Sequence, residues 1–86
     1  MNKLEIFRKK LLYRSNYRGT KEMDILLKSF VKSILYKLNH NDLNNLLSLI
    51  SIDDDNLYKF KNGLNKIIEI KNNKITKLFK DYDLSK

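Results

Sequence analysis

The chain contains no cysteine, so neither a disulfide nor a thiolate metal site can brace it, and nothing in it asks for an oxidising compartment. Only two glycines occur, too few for a phosphate-cradling loop or a dinucleotide fingerprint. No stretch approaches the ~20 apolar residues that a membrane-spanning helix needs. Arg8, Lys9 and Lys10 interrupt any apolar run after Leu4, which argues against a secretory signal. A mitochondrial presequence is the weaker option, because the motif described below begins inside the same basic stretch. The chain reads as a soluble intracellular protein. Proline, tryptophan and alanine are absent as well, and valine occurs once.

What is present is lysine, asparagine and isoleucine: 15, 11 and 9 of the 86 residues. These three use A/T-rich codons, so part of the +8 formal charge reads as mutational drift towards lysine rather than as a signature of polyanion binding. At 42% apolar and 33% charged, the chain is too hydrophobic for disorder. Its length fits one small domain over residues 1–86 with a single modest core. Charge is unevenly placed: residues 1–37 carry +7, residues 38–58 carry −4, and residues 59–86 return to +5. Such a pattern suits internal pairing as well as it suits an external polyanion.

Helical periodicity dominates, and the spacing predicts an all-α bundle of about five short helices. A first segment, from about Lys3 to Asn16, places Leu4, Phe7 and Leu11 on one stripe with Ile6 and Tyr13 beside it. After a break at Arg18-Gly19, Thr20 is positioned to cap a second helix whose first turns carry Glu22 and Asp24, acids that suit the helix dipole. Its stripe is Met23, Leu26, Leu27, Phe30, Ile34 and Leu38. Asn39-His40-Asn41 reads as a break, with Asn41-Asp42 capping a third helix on Leu43, Leu46, Leu47 and Ile50. Asp53-Asp54-Asp55 opens a fourth, which Asn62-Gly63 ends. A last helix is expected from about Asn73 to Asp81, with residues 64–71 as an irregular arm or an early extension of it.

Catalytic candidates are few. His40 is the only histidine and lies in a polar stretch with no serine or cysteine nucleophile arranged beside it. The three aspartates lack the alternate spacing, glycine and later glutamate of a calcium loop, and read as helix capping. No metal site is expected. Arg8, Lys9, Lys10, Arg14 and Arg18, interleaved with Tyr13 and Tyr17, have the chemistry to contact phosphates and stack on bases. A solvated helix face accounts for them better, since no nucleic-acid-binding motif accompanies them. One feature resists drift towards lysine: all three arginines fall within residues 8–18. Arginine offers a planar fork that lysine cannot copy, so their retention points to geometry. Locally, Arg18 and Glu22 stand four apart, a spacing worth ~0.3–0.5 kcal/mol as an exposed ion pair.

Leu12-Tyr13-Arg14-Ser15, then Arg18-Gly19-Thr20-Lys21-Glu22, then Asp24 and Leu26-Leu27, resemble the small assembly factors of succinate dehydrogenase, the flavinylation factors also described in bacteria as an antitoxin-like family. Their hallmark is R-G-x-x-E, here Arg18, Gly19 and Glu22. The resemblance runs over about residues 10–62 and continues through Asp53-Asp54 and Leu57-Tyr58-Lys59-Phe60. Phe60 stands where the family usually has tryptophan, Asp55-Asn56 where many members have a proline and an acid, and the tail after Gly63 matches poorly.

The resemblance implies a five-helix bundle that is not an enzyme. It would bind the flavoprotein subunit of succinate dehydrogenase or fumarate reductase and promote covalent attachment of FAD to a histidine of that subunit, holding no cofactor stably itself. Its setting would be the cytoplasm of a bacterium or the mitochondrial matrix of a eukaryote, without membrane insertion. On that reading Arg18 donates charge-assisted hydrogen bonds at the interface, Gly19 allows close backbone approach, and Glu22 holds Arg18 or accepts a bond from the client. Arg14 and Asp24 are further contacts. A basic nucleic-acid-binding module and an antitoxin-like interaction protein are the alternatives.

Overall fold

The computed structural model describes residues 2–16, 19–64 and 68–84, and among them it contains five α-helices and one 3-10 turn but no strand. Each helix starts on a side-chain cap, as a chain of short helices requires if its first amide groups are to find acceptors. In α1 (Lys3–Arg14) the Asn2 side chain accepts from the Glu5 amide at 2.8 Å. Leu11 is fully buried and Leu4 and Phe7 pack against the core, whereas Ile6 and Tyr13 face solvent, so the apolar stripe is narrower than expected.

Thr20 caps α2 (Lys21–Ile34) as expected, its hydroxyl accepting from the Met23 amide at 3.2 Å. The predicted stripe does not run on unbroken to Leu38. The helix tightens at Leu35–Lys37 into a 3-10 turn, whose three residues per turn shift the phase and bury Leu35 while Ile34 stays half-buried. Val31, also left off the stripe, is fully buried. Leu38 then leaves in extended conformation, and Arg8 reaches across from α1 to this helix end. Its Nη2 donates to the Leu38 carbonyl at 3.3 Å, with the guanidinium 5.8 Å from the Tyr36 ring.

The third helix, α3 (His40–Ile50), begins earlier than predicted. Asn39, not Asn41-Asp42, is its cap, accepting from the Asp42 amide at 2.8 Å. His40 is thus the first helical residue, with its ring edge-on to Phe7 at 5.4 Å. Helix α3 packs against both α1 and α5 (Lys74–Asp81), and this two-sided packing buries Leu49 as well as Leu43, Leu46 and Ile50 while Leu47 stays half-buried.

Asp53 caps α4 (Asp54–Lys61), which ends in the glycine turn that the sequence suggested. The Leu64 amide bonds to the Lys59 carbonyl at 2.8 Å and the Gly63 amide to Phe60 at 3.3 Å, with Gly63 at φ +69°, the left-handed geometry that favours glycine. Helix α5 starts at the predicted place on a reciprocal cap between Asn73 and Thr76. Ile75 and Phe79 are fully buried, and the Phe79 and Tyr82 rings each meet Phe30 edge-on at 5.3 Å. Residues 68–73 have no regular structure, as expected of the arm, and Ile70 packs on the core. The rest of that expectation, over 65–67 and including Ile67, lies outside the described residues. No described helix is long and apolar enough to cross a membrane.

The C-terminus of α5 is closed by a lysine from another helix. Lys61 donates to the carbonyls of Phe79 at 2.7 Å, Lys80 at 3.2 Å and Tyr82, with its ammonium 5.1 Å from the Phe79 ring. Burial pushes this ammonium below the ordinary lysine value, opposed by Asp83 and Asp81. A cation at a helix C-terminus also meets the negative end of the dipole.

Lys61→Met keeps the aliphatic stem but strands the three carbonyls, and is expected to lower unfolding free energy by about 1–3 kcal/mol in urea titrations. Hydrogen bonds from the Asn56 side chain and backbone hold the Asp53 carboxyl below its ordinary 3.8, so its contribution is present above that value and lost as pH falls through the lower folded one. Asp53→Asn is therefore expected to melt below the native chain at neutral pH, with the gap closing on acidification below 3.8.

Candidate interaction site

Of the residues that the sequence singled out, Gly19 lies between α1 and α2, Arg14 ends α1, and Glu22 and Asp24 stand in the first turn of α2. Ser15 closes α1, its buried hydroxyl donating to the Leu12 carbonyl at 2.6 Å, and the Asn16 amide turns back onto Tyr13 at 3.1 Å. Arg18, the first residue of the motif, lies with Tyr17 outside the described residues. From Gly19 onward the loop is tied to the far half of the chain. The Thr20 amide donates to Oδ2 of Asp54, on the first turn of α4, at 2.8 Å. A Cβ on Gly19 would stand 3.2 Å from the same oxygen.

The three adjacent aspartates therefore divide their work. Asp53 is the cap, accepting from the Asn56 amide at 3.2 Å and from the Asn56 side chain at 2.7 Å. Asp55 pairs with Lys59 one turn on at 3.0 Å. Asp54 makes the long-range contact. Reading all three as capping residues missed this, although one helix start needs only one cap, and the surplus carboxylates were the available signal.

Two surface concavities meet at Asp54. One, of about 430 Å³, is lined by Arg14, Asn16, Gly19 and Ile52 together with Asp53. The other, of about 480 Å³, has an apolar floor from Met23 and Leu26, with Glu22, Tyr58 and Leu84 around it. The structure thus brings Arg14 and Gly19 into one hollow and sets Glu22 on the other side of the Asp54 carboxylate. Asp24 lines neither, and sits half-buried in the first turn of α2. Arg14 and Glu22 are exposed and form no ion pair among the described residues.

The arginine cluster separates into different roles. Arg8 is spent inside the fold on the Leu38 carbonyl, leaving Lys9, Lys10 and Arg14 exposed on α1. Lys61, beside the second concavity, has its ammonium committed to α5. Both were missed as structural residues, because their partners lie 30 and 18 positions away and no local pattern encodes them. Among the described residues no group of three or more histidine or acidic side chains is placed to hold a metal ion.

Fold and site together define a small all-α protein whose distinctive groups lie on an interhelical loop and on the helix start to which that loop is fastened. Residues 9–83 match the family model described as flavinator of succinate dehydrogenase, and the chain belongs to that family. The match extends over the tail after Gly63, where the resemblance read from motifs had been poor. Comparisons with curated proteins and with solved structures give no match.

Proposed function

We propose that this chain is an assembly factor that binds the flavoprotein subunit of succinate dehydrogenase and promotes covalent attachment of FAD to a histidine of that subunit. The observation that carries the reading is the family match over residues 9–83, joined to an R-G-x-x-E motif whose Gly19 and Glu22 stand exposed. The same chemistry extends to the flavoprotein of fumarate reductase. Such a protein would work in the bacterial cytoplasm or the mitochondrial matrix.

The chain supplies neither the reacting histidine nor the flavin, so its contribution is positional. By binding the client conformation in which histidine and flavin are aligned more tightly than the others, it raises the population that reacts. It can shift that population only by as much as its affinities for the two conformations differ. Arg18 offers a fixed fork of donors to the client, Gly19 keeps the loop free of a side chain, and Glu22 either holds Arg18 or accepts a bond from the client. Arg14 adds a cation in the hollow beside Gly19, and a client reaching Glu22 also meets the apolar floor of Leu26 and Met23. Asp24 acts from the first turn of α2, behind the contact surface.

Gly19→Arg is expected to abolish client flavinylation while leaving helical circular dichroism largely intact. Normal levels of covalently bound flavin in cells carrying only that variant would remove the loop from the contact. Arg18→Lys keeps the charge but not the fork, and reduced in-gel flavin fluorescence of the client is expected. Near-normal fluorescence would reduce the role of Arg18 to simple electrostatics.

A further inference from the structure

We infer that Asp54 is a positioning residue, whose carboxylate fixes the Gly19-Thr20 backbone and so sets how the motif is presented. We infer further that Gly19 is a glycine first of all to admit that carboxylate. The part of this inference that concerns flavinylation rests on the function proposed above.

The two glycines of the chain make the argument by contrast. Gly63 lies at φ +69° with open space where a Cβ would point, so its backbone conformation accounts for it. Gly19 is not in the left-handed region, and no conformational demand of that kind applies. What sets Gly19 apart is contact: a Cβ there would approach Asp54 Oδ2 to 3.2 Å, closer than side chains ordinarily tolerate. The close approach is therefore made within the molecule, by a side chain 34 positions beyond Thr20.

The carboxylate is also held in advance. Asp54 is the first residue of α4, where the helix dipole favours an anion, and Asp53 has already taken the capping duty. Thr20 is itself the cap of α2, so its own amide lies outside the intrahelical ladder and needs an acceptor from elsewhere. Asp54 supplies it through a charge-assisted bond of 2.8 Å. Because both concavities include Asp54 in their walls, moving it would reshape the hollow that holds Arg14 and the groove that holds Glu22 together.

The test is a set of four variants, Asp54→Ala, Asp54→Asn, Gly19→Ala and the Gly19→Ala/Asp54→Ala double. Each is read by hydrogen exchange of the Thr20 amide and by the rate of covalent flavin attachment to purified succinate dehydrogenase flavoprotein subunit supplied with FAD. Asp54→Ala should speed Thr20 exchange and slow attachment, each by about tenfold, with circular dichroism unchanged. Asparagine keeps an oxygen that accepts the same bond, so Asp54→Asn should restore most of both. The double variant should be no worse than Asp54→Ala alone, because the added methyl then has no carboxylate to displace.

Attachment at the native rate in Asp54→Ala would overturn the inference. So would equal defects in the alanine and asparagine variants, which would make the charge a client contact instead of a loop anchor. Strict additivity in the double variant would overturn the account of Gly19. Arg18→Lys and Gly19→Arg are run alongside. If the unaltered chain gives no faster attachment than the flavoprotein subunit and FAD alone, the proposed function fails, and Thr20 exchange still decides whether Asp54 holds the loop.

Discussion

One hydrogen bond, from the Thr20 amide to the Asp54 carboxylate, joins the loop that carries the motif to the helix that opens the second half of the chain. The ordering of the site follows from it. Thr20 caps α2, and the bond to its amide places that cap, so the direction in which α2 leaves the loop and the exposure of Glu22 two residues later depend on the same contact. At the other end, Asp54 can serve because Asp53 has relieved it of capping and because the carboxylate stands at the favourable end of a helix dipole. A local rule about helix starts and a tertiary contact thus share one run of three acids.

A related economy governs the far ends of the helices. A chain without disulfides and with little chain length for a core cannot leave helix C-terminal carbonyls buried and unpaired, since each such group costs free energy comparable to a lost hydrogen bond. Two long cations meet this need. Arg8 closes the end of the α2 and 3-10 segment at Leu38, and Lys61 closes α5. Lys74 adds a bond from α5 to the buried Asp42 of α3 at 3.4 Å. Part of the large positive charge is therefore consumed in holding the bundle together, and among the described residues the two concavities beside Gly19 are lined by Glu22, Asp53, Asp54 and Asp55 together with Arg14 and the committed Lys61. Net charge alone pointed to polyanions, whereas the described lining of the two concavities holds more acids than bases.

Much of the fold was legible because it is local. Helical spacing located five elements, and the caps at Thr20 and Asp53, the start of the last helix near Asn73 and the glycine turn at Gly63 stand where the residue types placed them. What escaped was phase and distance. The 3-10 turn after Ile34 put Leu35 in the core where Ile34 had been expected, a change of winding that a fixed 3.6-residue period cannot register. Asn39 and Asn41 are equivalent as residue types, and the extended, buried Leu38 before Asn39 is what decided between them. Of the site, the motif pointed to Gly19 and Glu22, and Arg14 proved to share a hollow with Gly19. Asp54 was hidden because its partner is an amide on another helix, which no spacing rule reports.

On the function proposed above, this protein accelerates covalent flavin attachment without reacting itself. The most direct measurement mixes the purified flavoprotein subunit of succinate dehydrogenase with FAD, with and without the chain, and follows covalent flavin by mass and by fluorescence in denaturing gels. Attachment is expected to be faster with the chain present, at amounts below one equivalent if it is released after each round, with no mass change on the chain. Equal rates with and without it, or flavin covalently bound to the chain itself, would rule out an assembly role of this kind.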